Sequence, residues 1–124
     1  MSSDRTGLPA SNSVWEGDWL RSRRFDDVYC SRDGGPAEKR YVFLTGCNLP
    51  AAWQGATTFC IGELGFGAGL NFLVTWEAWR RHRPAGAHLH YIAVEGFPLT
   101  VTEMRAACGA WSELQPVADE LARA

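Results

Sequence analysis

The sequence predicts an α/β fold in which parallel strands alternate with helices, the opening of a doubly wound sheet. Two observations support this prediction. A short β-rich apolar run at residues 57–61 leads straight into a glycine-rich turn and then into an apolar helical segment. A second strand-like run at residues 89–95 ends in an acid and is followed by helix-start signals. The predicted order is therefore strand, turn, helix, strand, helix.

Composition narrows the class of protein. The chain has 124 residues, a formal net charge of −2 and 46% hydrophobic residues, which is typical of one soluble globular unit. No apolar run approaches the roughly 20 residues that span a bilayer, so no membrane partner is expected. The four cysteines show no CxxC pair, and we expect reduced thiols and a cytoplasmic location.

The N-terminal third is predicted to be a tail followed by a β-hairpin. Residues 1–18 are rich in Ser, Gly and Pro and predict a disordered tail. Strand-like residues reach Ser31, turn residues follow at 33–36, and residues 40–44 favour a second strand. We therefore expect a hairpin, or a loose pair of strands, over residues 25–46.

Residues 57–124 predict a βαβα unit. The run 57–61 is typical of a strand buried on both faces, and the helix after it should span residues 70–83, ending at Pro84. After the second strand, Thr100 and Glu103 have capping-box spacing, which predicts a helix to about residue 108. The same spacing from Ser112 predicts a last helix towards Ala124.

The glycine-rich turn predicts a binding site for a small ligand. Gly65, Gly67 and Gly69 allow backbone to approach a ligand closely at a helix N-terminus. Glu63 would repel a pyrophosphate but suits an ammonium group such as that of S-adenosylmethionine. Glu95, at the tip of the next strand, is expected to accept hydrogen bonds from ribose hydroxyls. A simple packing turn, with Glu95 as a solvated strand-end acid, is the alternative.

Five ordered segments resemble the methyltransferase domain of the MnmC type: residues 25–29, 40–44, 65–73, 94–100 and 111–114. The resemblance covers about residues 19–121. It implies a Rossmann-like S-adenosylmethionine-dependent methyltransferase fold, incomplete in this chain and preceded by the hairpin, with the domain running from residue 19 to 124. It also implies methylation of the aminomethyl group on a modified wobble uridine of tRNA, in 5-methylaminomethyl-2-thiouridine biosynthesis. Many such domains are fused to an FAD-dependent oxidase, and this chain carries no FAD fingerprint.

The resemblance also implies roles for individual residues. The cofactor-binding set that it implies is Glu63, Gly65, Phe66, Gly67, Gly69, Asn71 and Glu95, and Asp27 and Tyr29 belong to a motif beside the active site. The chain departs from the family pattern at Gly96, where Lys is usual, and at Ala68, where Thr is common. The family's later motif with its catalytic acid has no counterpart before Ala124. We therefore expect an N-terminal portion of the domain that is weak or inactive alone, with its catalytic residues unassigned.

Two other function classes stay open: a nicotinamide-dependent oxidoreductase and a degenerate protein that binds without catalysis. The basic clusters at residues 80–83 and at Arg21, Arg23 and Arg24 are either contacts for tRNA phosphates or solvated charges. His88 and His90 share one face of a strand, which is typical of a surface pair, and no metal site is predicted.

Overall fold

The computed structural model describes residues 7, 9, 11–17, 19–25, 27–29, 35–109 and 111–124. It is a mixed α/β structure with an antiparallel three-stranded sheet, a parallel two-stranded sheet and helices between and after them. Within the described ranges, no helix combines the length and the apolar character needed to cross a membrane.

The N-terminal sheet consists of β1 (Ser13–Glu16), β2 (Trp19–Ser22) and β3 (Asp27–Val28), paired antiparallel in that order. The prediction of a disordered tail over residues 1–18 is wrong for β1. The reason is tertiary: β1 pairs with β2 along its whole length, and the Ser13 hydroxyl donates a hydrogen bond of 2.7 Å to Glu103 in a distant helix. These contacts hold a segment whose composition alone favours disorder.

The predicted hairpin over residues 25–46 is also wrong, because its second half is helical. Helix α1 (Gly35–Lys39) continues into a π-helical segment, Arg40–Thr45, where the sequence favours a strand. β3 remains an edge strand of the N-terminal sheet, so residues 40–45 do not add to it. Leu44 is buried instead, and both helical segments contact the long central helix. Tertiary packing overrides the β-propensity of Tyr41 and Val42. Of the predicted turn, residues 33–34 lie outside the described residues.

The predicted βαβα unit is confirmed in its order and type. Strand β4 (Thr58–Leu64) is followed by α2 (Leu70–His82), β5 (His88–Val94), α3 (Val101–Cys108) and, after a 3₁₀ turn at Ser112–Leu114, α4 (Gln115–Arg123). The capping box at Thr100 is formed by both of its hydrogen bonds. The Ser112 box is not formed, because residues 112–114 make a 3₁₀ turn with no side-chain cap.

Helix α2 lies at the centre of the core. Its residues Leu73 and Val74 are fully buried, and Trp79 contacts the buried Trp53 edge to face at 5.1 Å between ring centroids. α1, the π-helical segment and α4 all contact α2. On the sheet side, Phe72 meets Tyr91 of β5 with ring centroids 4.9 Å apart. The all-round apolar pattern of this helix thus matches its burial on several sides.

The parallel sheet is covered on one face among the described residues. Strands β4 and β5 pair in register, from Thr58 opposite His88 to Leu64 opposite Val94. Alternate residues point to the helices, while Leu64, Ile92 and Val94 on the other face are exposed. The expectation that residues 57–61 are buried on both faces is therefore wrong for Cys60, which is exposed. The reason is that α2 packs against a single face, and His88 and His90 lie on the open one.

Because one leucine lies in the core and another on the open face of the sheet, their substitution should affect stability differently. Leu73→Ala should lower the free energy of unfolding by about 2–5 kcal/mol, because Leu73 is 1% exposed and its loss leaves a cavity. Leu64→Ala is the matched control, since Leu64 is 90% exposed, and should change stability by less than about 0.5 kcal/mol. Urea denaturation measures both. Equal losses from the two substitutions would show that the open face is packed in solution.

Candidate functional site

The glycine turn joins the end of β4 to the start of α2 at the edge where β5 also ends. Gly65 donates its backbone N–H to Val94 at 2.8 Å, so the turn begins level with the tip of β5. Gly67 and Gly69 have φ of 58° and 84°, a region that favours glycine. At Gly69 a Cβ would lie 2.8 Å from the Phe66 ring, so the ring would have to shift to admit a side chain. The turn is therefore shaped by backbone and by Phe66.

Glu95 connects the tip of β5 to the glycine turn. One carboxylate oxygen accepts a hydrogen bond from the Gly67 N–H at 2.8 Å, and the other accepts from the Phe97 N–H at 3.1 Å. A carboxylate has about four lone-pair sites, so these two bonds leave acceptor capacity on both oxygens. The geometry thus orients Glu95 towards the turn while it can still accept hydrogen bonds from a ligand.

A cleft of about 470 Å³ opens beside Glu95 and the turn. Its volume lies within the range typical of small-molecule sites. Its lining is mostly apolar and comes from the turn, α2, β5 and the C-terminal helices: Phe66, Gly67, Phe72, Tyr91, Ala93, Glu95, Pro98, Leu99, Met104 and Leu121. Glu95 is the charged residue in this described lining, and no Lys, Arg or His belongs to it.

Glu63 lies beneath the cleft rather than in its lining. Its side chain is buried, with 8% of the residue exposed, and its two oxygens accept hydrogen bonds from Asn71 (2.6 Å) and Tyr91 (2.9 Å). Both partners are neutral groups. Asn71, predicted as a cofactor-binding residue, also lies outside the described lining and instead holds Glu63 in place. The amide oxygen of Asn71 is buried without a hydrogen-bond partner among the described residues.

Tyr91 links the buried carboxylate to the cleft. Burial, the hydrogen bond to Glu63 and the charge of Glu63 all raise the pKa of the Tyr91 phenol well above its usual value of 10. The hydroxyl therefore stays protonated and donates to Glu63 at neutral pH. Tyr91 is not among the site residues that the sequence predicts. The signal was available, because the alternation of β5 points Leu89, Tyr91 and Ala93 to the same face.

The structure brings Tyr29 to the glycine turn, and neither Tyr29 nor Asp27 belongs to the cleft lining. The Tyr29 ring lies 3.8 Å from the point that a Cβ on Gly67 would occupy. Burial raises the pKa of the Tyr29 phenol, and the negative charge of Glu95 adds to that effect against an opposing hydrogen bond with Ser22. Asp27 is exposed in β3, opposite Ser22 in the strand register.

The described residues contain no cluster of three or more His, Cys, Asp or Glu side chains that could hold a metal ion.

The constraint at Gly69 predicts a loss of stability on adding one methyl group. Gly69→Ala should lower the free energy of unfolding by about 1–3 kcal/mol, because the φ of 84° and the Phe66 ring both oppose a Cβ. Gly62→Ala is the control, since a Cβ at Gly62 in β4 meets nothing within 4 Å. It should leave stability unchanged or raise it by up to about 1 kcal/mol. Urea denaturation that finds the two variants alike would contradict the role given to Gly69.

The Glu63–Tyr91 hydrogen bond predicts that removal of the Tyr91 hydroxyl also lowers stability. Tyr91→Phe should lower the free energy of unfolding at pH 7 by about 1–3 kcal/mol, because one oxygen of a buried carboxylate loses its donor. Tyr41→Phe is the control, since Tyr41 is 76% exposed, and should have no measurable effect. Chemical denaturation of the three proteins checks the difference.

The raised pKa of Tyr91 also makes the stability of the fold depend on pH. Because the folded-state pKa of Tyr91 lies above its unfolded value of 10, the stability that it contributes is complete below pH 10 and is lost as the pH rises further. The stability gap between the unsubstituted chain and Tyr91→Phe should therefore shrink above pH 10. A gap that is constant from pH 8 to 11 would argue against a buried, protonated Tyr91.

Comparison with known proteins finds MnmC proteins among the relatives of the chain. No family model matches the chain. It is 44% identical over 100 residues to the tRNA 5-methylaminomethyl-2-thiouridine biosynthesis bifunctional protein MnmC of Thiobacillus denitrificans, covering 81% of this chain and 16% of the relative. The proteins of that name from Aromatoleum aromaticum and Maricaulis maris are 48% and 46% identical over 101 residues, covering 82% of this chain and 16% and 17% of theirs. The chain thus spans about a sixth of the length of these relatives. Identity of this extent confirms the resemblance seen in the motifs, and the chain is an MnmC-related domain.

Proposed function

We propose that this chain forms the methyl-donor side of an S-adenosylmethionine-dependent tRNA methyltransferase. The reaction would methylate the aminomethyl group of a modified wobble uridine, within 5-methylaminomethyl-2-thiouridine biosynthesis. The relationship to MnmC supports a role in that biosynthesis, since the relatives are named for it. The relatives are also named bifunctional, and the methyl-transfer half is the part that Glu63 and the spacing of Gly65, Gly67 and Gly69 favour. A cytoplasmic location and a fused or separate FAD-dependent oxidase are part of this proposal.

The charge of the cleft is the observation that carries the proposal. Its described lining holds the carboxylate of Glu95 and no cation, and the buried carboxylate of Glu63 lies one hydrogen bond behind Tyr91. Two negative groups and no positive one favour a cationic ligand such as S-adenosylmethionine, whose sulfonium and ammonium are both positive. The same field disfavours the pyrophosphate of a nicotinamide dinucleotide. The electrostatics therefore favour the methyl donor.

The residues present fit that cofactor. Glu95 has acceptor capacity left for ribose hydroxyls, and the apolar walls around Leu99 and Met104 suit uncharged parts of the ligand. Gly67 contributes no side chain to obstruct the cleft. When bound, S-adenosylmethionine would supply an electrophilic methyl group on its sulfonium. Holding the donor in one orientation is a large part of what such a site contributes to the rate.

The described lining of the cleft offers fewer groups for the acceptor amine than for the methyl donor. An attacking amine must be neutral, and a base or a water-excluding wall usually keeps it so. Glu95 is the acid in the described lining, and its two backbone hydrogen bonds suit a role as hydroxyl acceptor rather than base. Tyr29, over the glycine turn, is the described residue that we propose as a wall towards the acceptor. For Asp27, a role beside the active site is proposed from the family motif.

Calorimetric titration with S-adenosylmethionine tests the proposal. We expect saturable binding, and Glu95→Ala should weaken it by roughly 10–150-fold, the equivalent of about 1.5–3 kcal/mol for hydrogen bonds to a charged group. Glu113→Ala is the control, because Glu113 pairs with Arg40 at the surface, away from the cleft. It should bind like the unsubstituted chain. Circular dichroism confirms that each variant is folded.

Two outcomes would contradict the proposal. Binding of NADH in preference to S-adenosylmethionine would favour the oxidoreductase alternative. Equal affinities of the Glu95→Ala and Glu113→Ala variants would show that the cleft is not the binding site.

A further inference from the structure

The arginines of this chain differ in whether a carboxylate neutralises them. Five of them form ion pairs at the surface: Arg21 with Glu16, Arg40 with Glu113, Arg80 with Glu120, Arg81 with Glu77 and Arg105 with Asp119. Arg23 and Arg24, in the turn between β2 and β3, are exposed and have no carboxylate partner among the described residues. They are adjacent in sequence, so two positive charges without a described carboxylate partner share one turn.

This turn packs against the segment that follows Glu95. The Arg24 guanidinium lies over the Phe97 ring, with its carbon 4.2 Å from the ring centroid. Phe25 meets the same ring edge to face, with centroids 5.5 Å apart, and is 64% exposed. Arg23, Arg24, Phe25 and Phe97 together form what we call the basic aromatic patch. This cation–π contact orients the Arg24 guanidinium over the Phe97 ring.

The patch adjoins the mouth of the cleft. The Phe97 N–H donates to Glu95, and Pro98, the next residue, belongs to the cleft lining. A molecule that contacts the patch is therefore within a few residues of the methyl-donor site. The nearby exposed acid of β3 is Asp27, on the strand that follows the turn.

We propose that the basic aromatic patch binds the single-stranded RNA segment that presents the acceptor amine to the cleft. Guanidinium groups bind phosphates, and unstacked bases stack on aromatic rings and on guanidinium planes. Arg23 and Arg24 would contact the phosphates, and a base beside the modified nucleotide would stack on Phe25. An acidic peptide would use the arginines but would leave the exposed Phe25 ring without a stacking partner. The inference rests on the proposed function, which makes RNA the acceptor.

Two arginines at the basic end of α2, Arg80 and Arg81, are weaker candidates for the RNA contact because each is paired with a carboxylate. Arg80 lies 2.5 Å from Glu120, and Arg81 lies 2.7 Å from Glu77. Neutralised arginines attract phosphates less, because the carboxylate competes for the guanidinium. The double substitution Arg80→Ala/Arg81→Ala is therefore a matched control for Arg23→Ala/Arg24→Ala.

The experiment measures binding of a fluorescently labelled tRNA anticodon stem-loop by anisotropy over a series of salt concentrations. Arg23→Ala/Arg24→Ala should weaken binding at least tenfold at low salt. It should also reduce the slope of log K against log salt by about 1.4, from two single-strand phosphate contacts at about 0.7 each. Arg80→Ala/Arg81→Ala should leave affinity and slope unchanged.

Substitution of the ring separates stacking from charge. Phe25→Ala should weaken binding roughly 5–150-fold without changing the salt slope, because base stacking on one aromatic side chain is worth that factor. Tyr41→Ala is its control, since Tyr41 is the more exposed aromatic residue and lies in the π-helical segment.

The proposal is overturned if both double variants bind RNA alike, if Phe25→Ala and Tyr41→Ala bind alike, or if the unsubstituted chain binds no RNA. Calorimetry with S-adenosylmethionine on the same samples separates this proposal from the proposed function. A chain that binds the methyl donor but no RNA contradicts the patch alone. A chain that binds RNA through Arg23 and Arg24 but no methyl donor contradicts the cofactor site alone.

Discussion

In-register parallel pairing of β4 with β5 is the constraint on which the site depends. It brings the carboxyl ends of both strands to one edge, so the glycine turn and Glu95 meet although they are far apart in sequence. The Gly65 N–H extends the pairing by one bond to Val94, and the Gly67 N–H then reaches Glu95. A shift of register by one residue would move Glu95 away from the turn and send its side chain to the opposite face.

The core and the site share the same helix. Helix α2 is buried on several sides, and its first turn supplies Asn71, which donates to the buried Glu63. Phe72, one residue later, packs on Tyr91, the second donor to that carboxylate. The glycine turn is therefore anchored at both of its ends by packed residues. Burial of an acid at this position is tolerable because both of its oxygens are hydrogen-bonded.

Opposite charges lie side by side at this edge of the molecule. The cleft carries Glu95 with Glu63 behind it, and the basic aromatic patch carries Arg23 and Arg24. A cationic methyl donor and an anionic RNA would each find a complementary field, one inside the cleft and one at its mouth. The N-terminal sheet makes this possible, since β2 and β3 hold the turn against Phe97.

The sequence by itself determined the βαβα order, the position of the glycine turn and the capping of α3 at Thr100, because these features depend on local patterns. The motifs also carried the relationship to MnmC. Tertiary structure alone decided three other points. Residues 40–45 became helical because Leu44 packed inwards and the segment docked on α2. Residues 13–16 became a strand through pairing with β2 and the Ser13–Glu103 bond. The pairing of Tyr91 with Glu63 and of Arg24 with Phe97 depended on contacts between distant segments, whose partners the local pattern does not name.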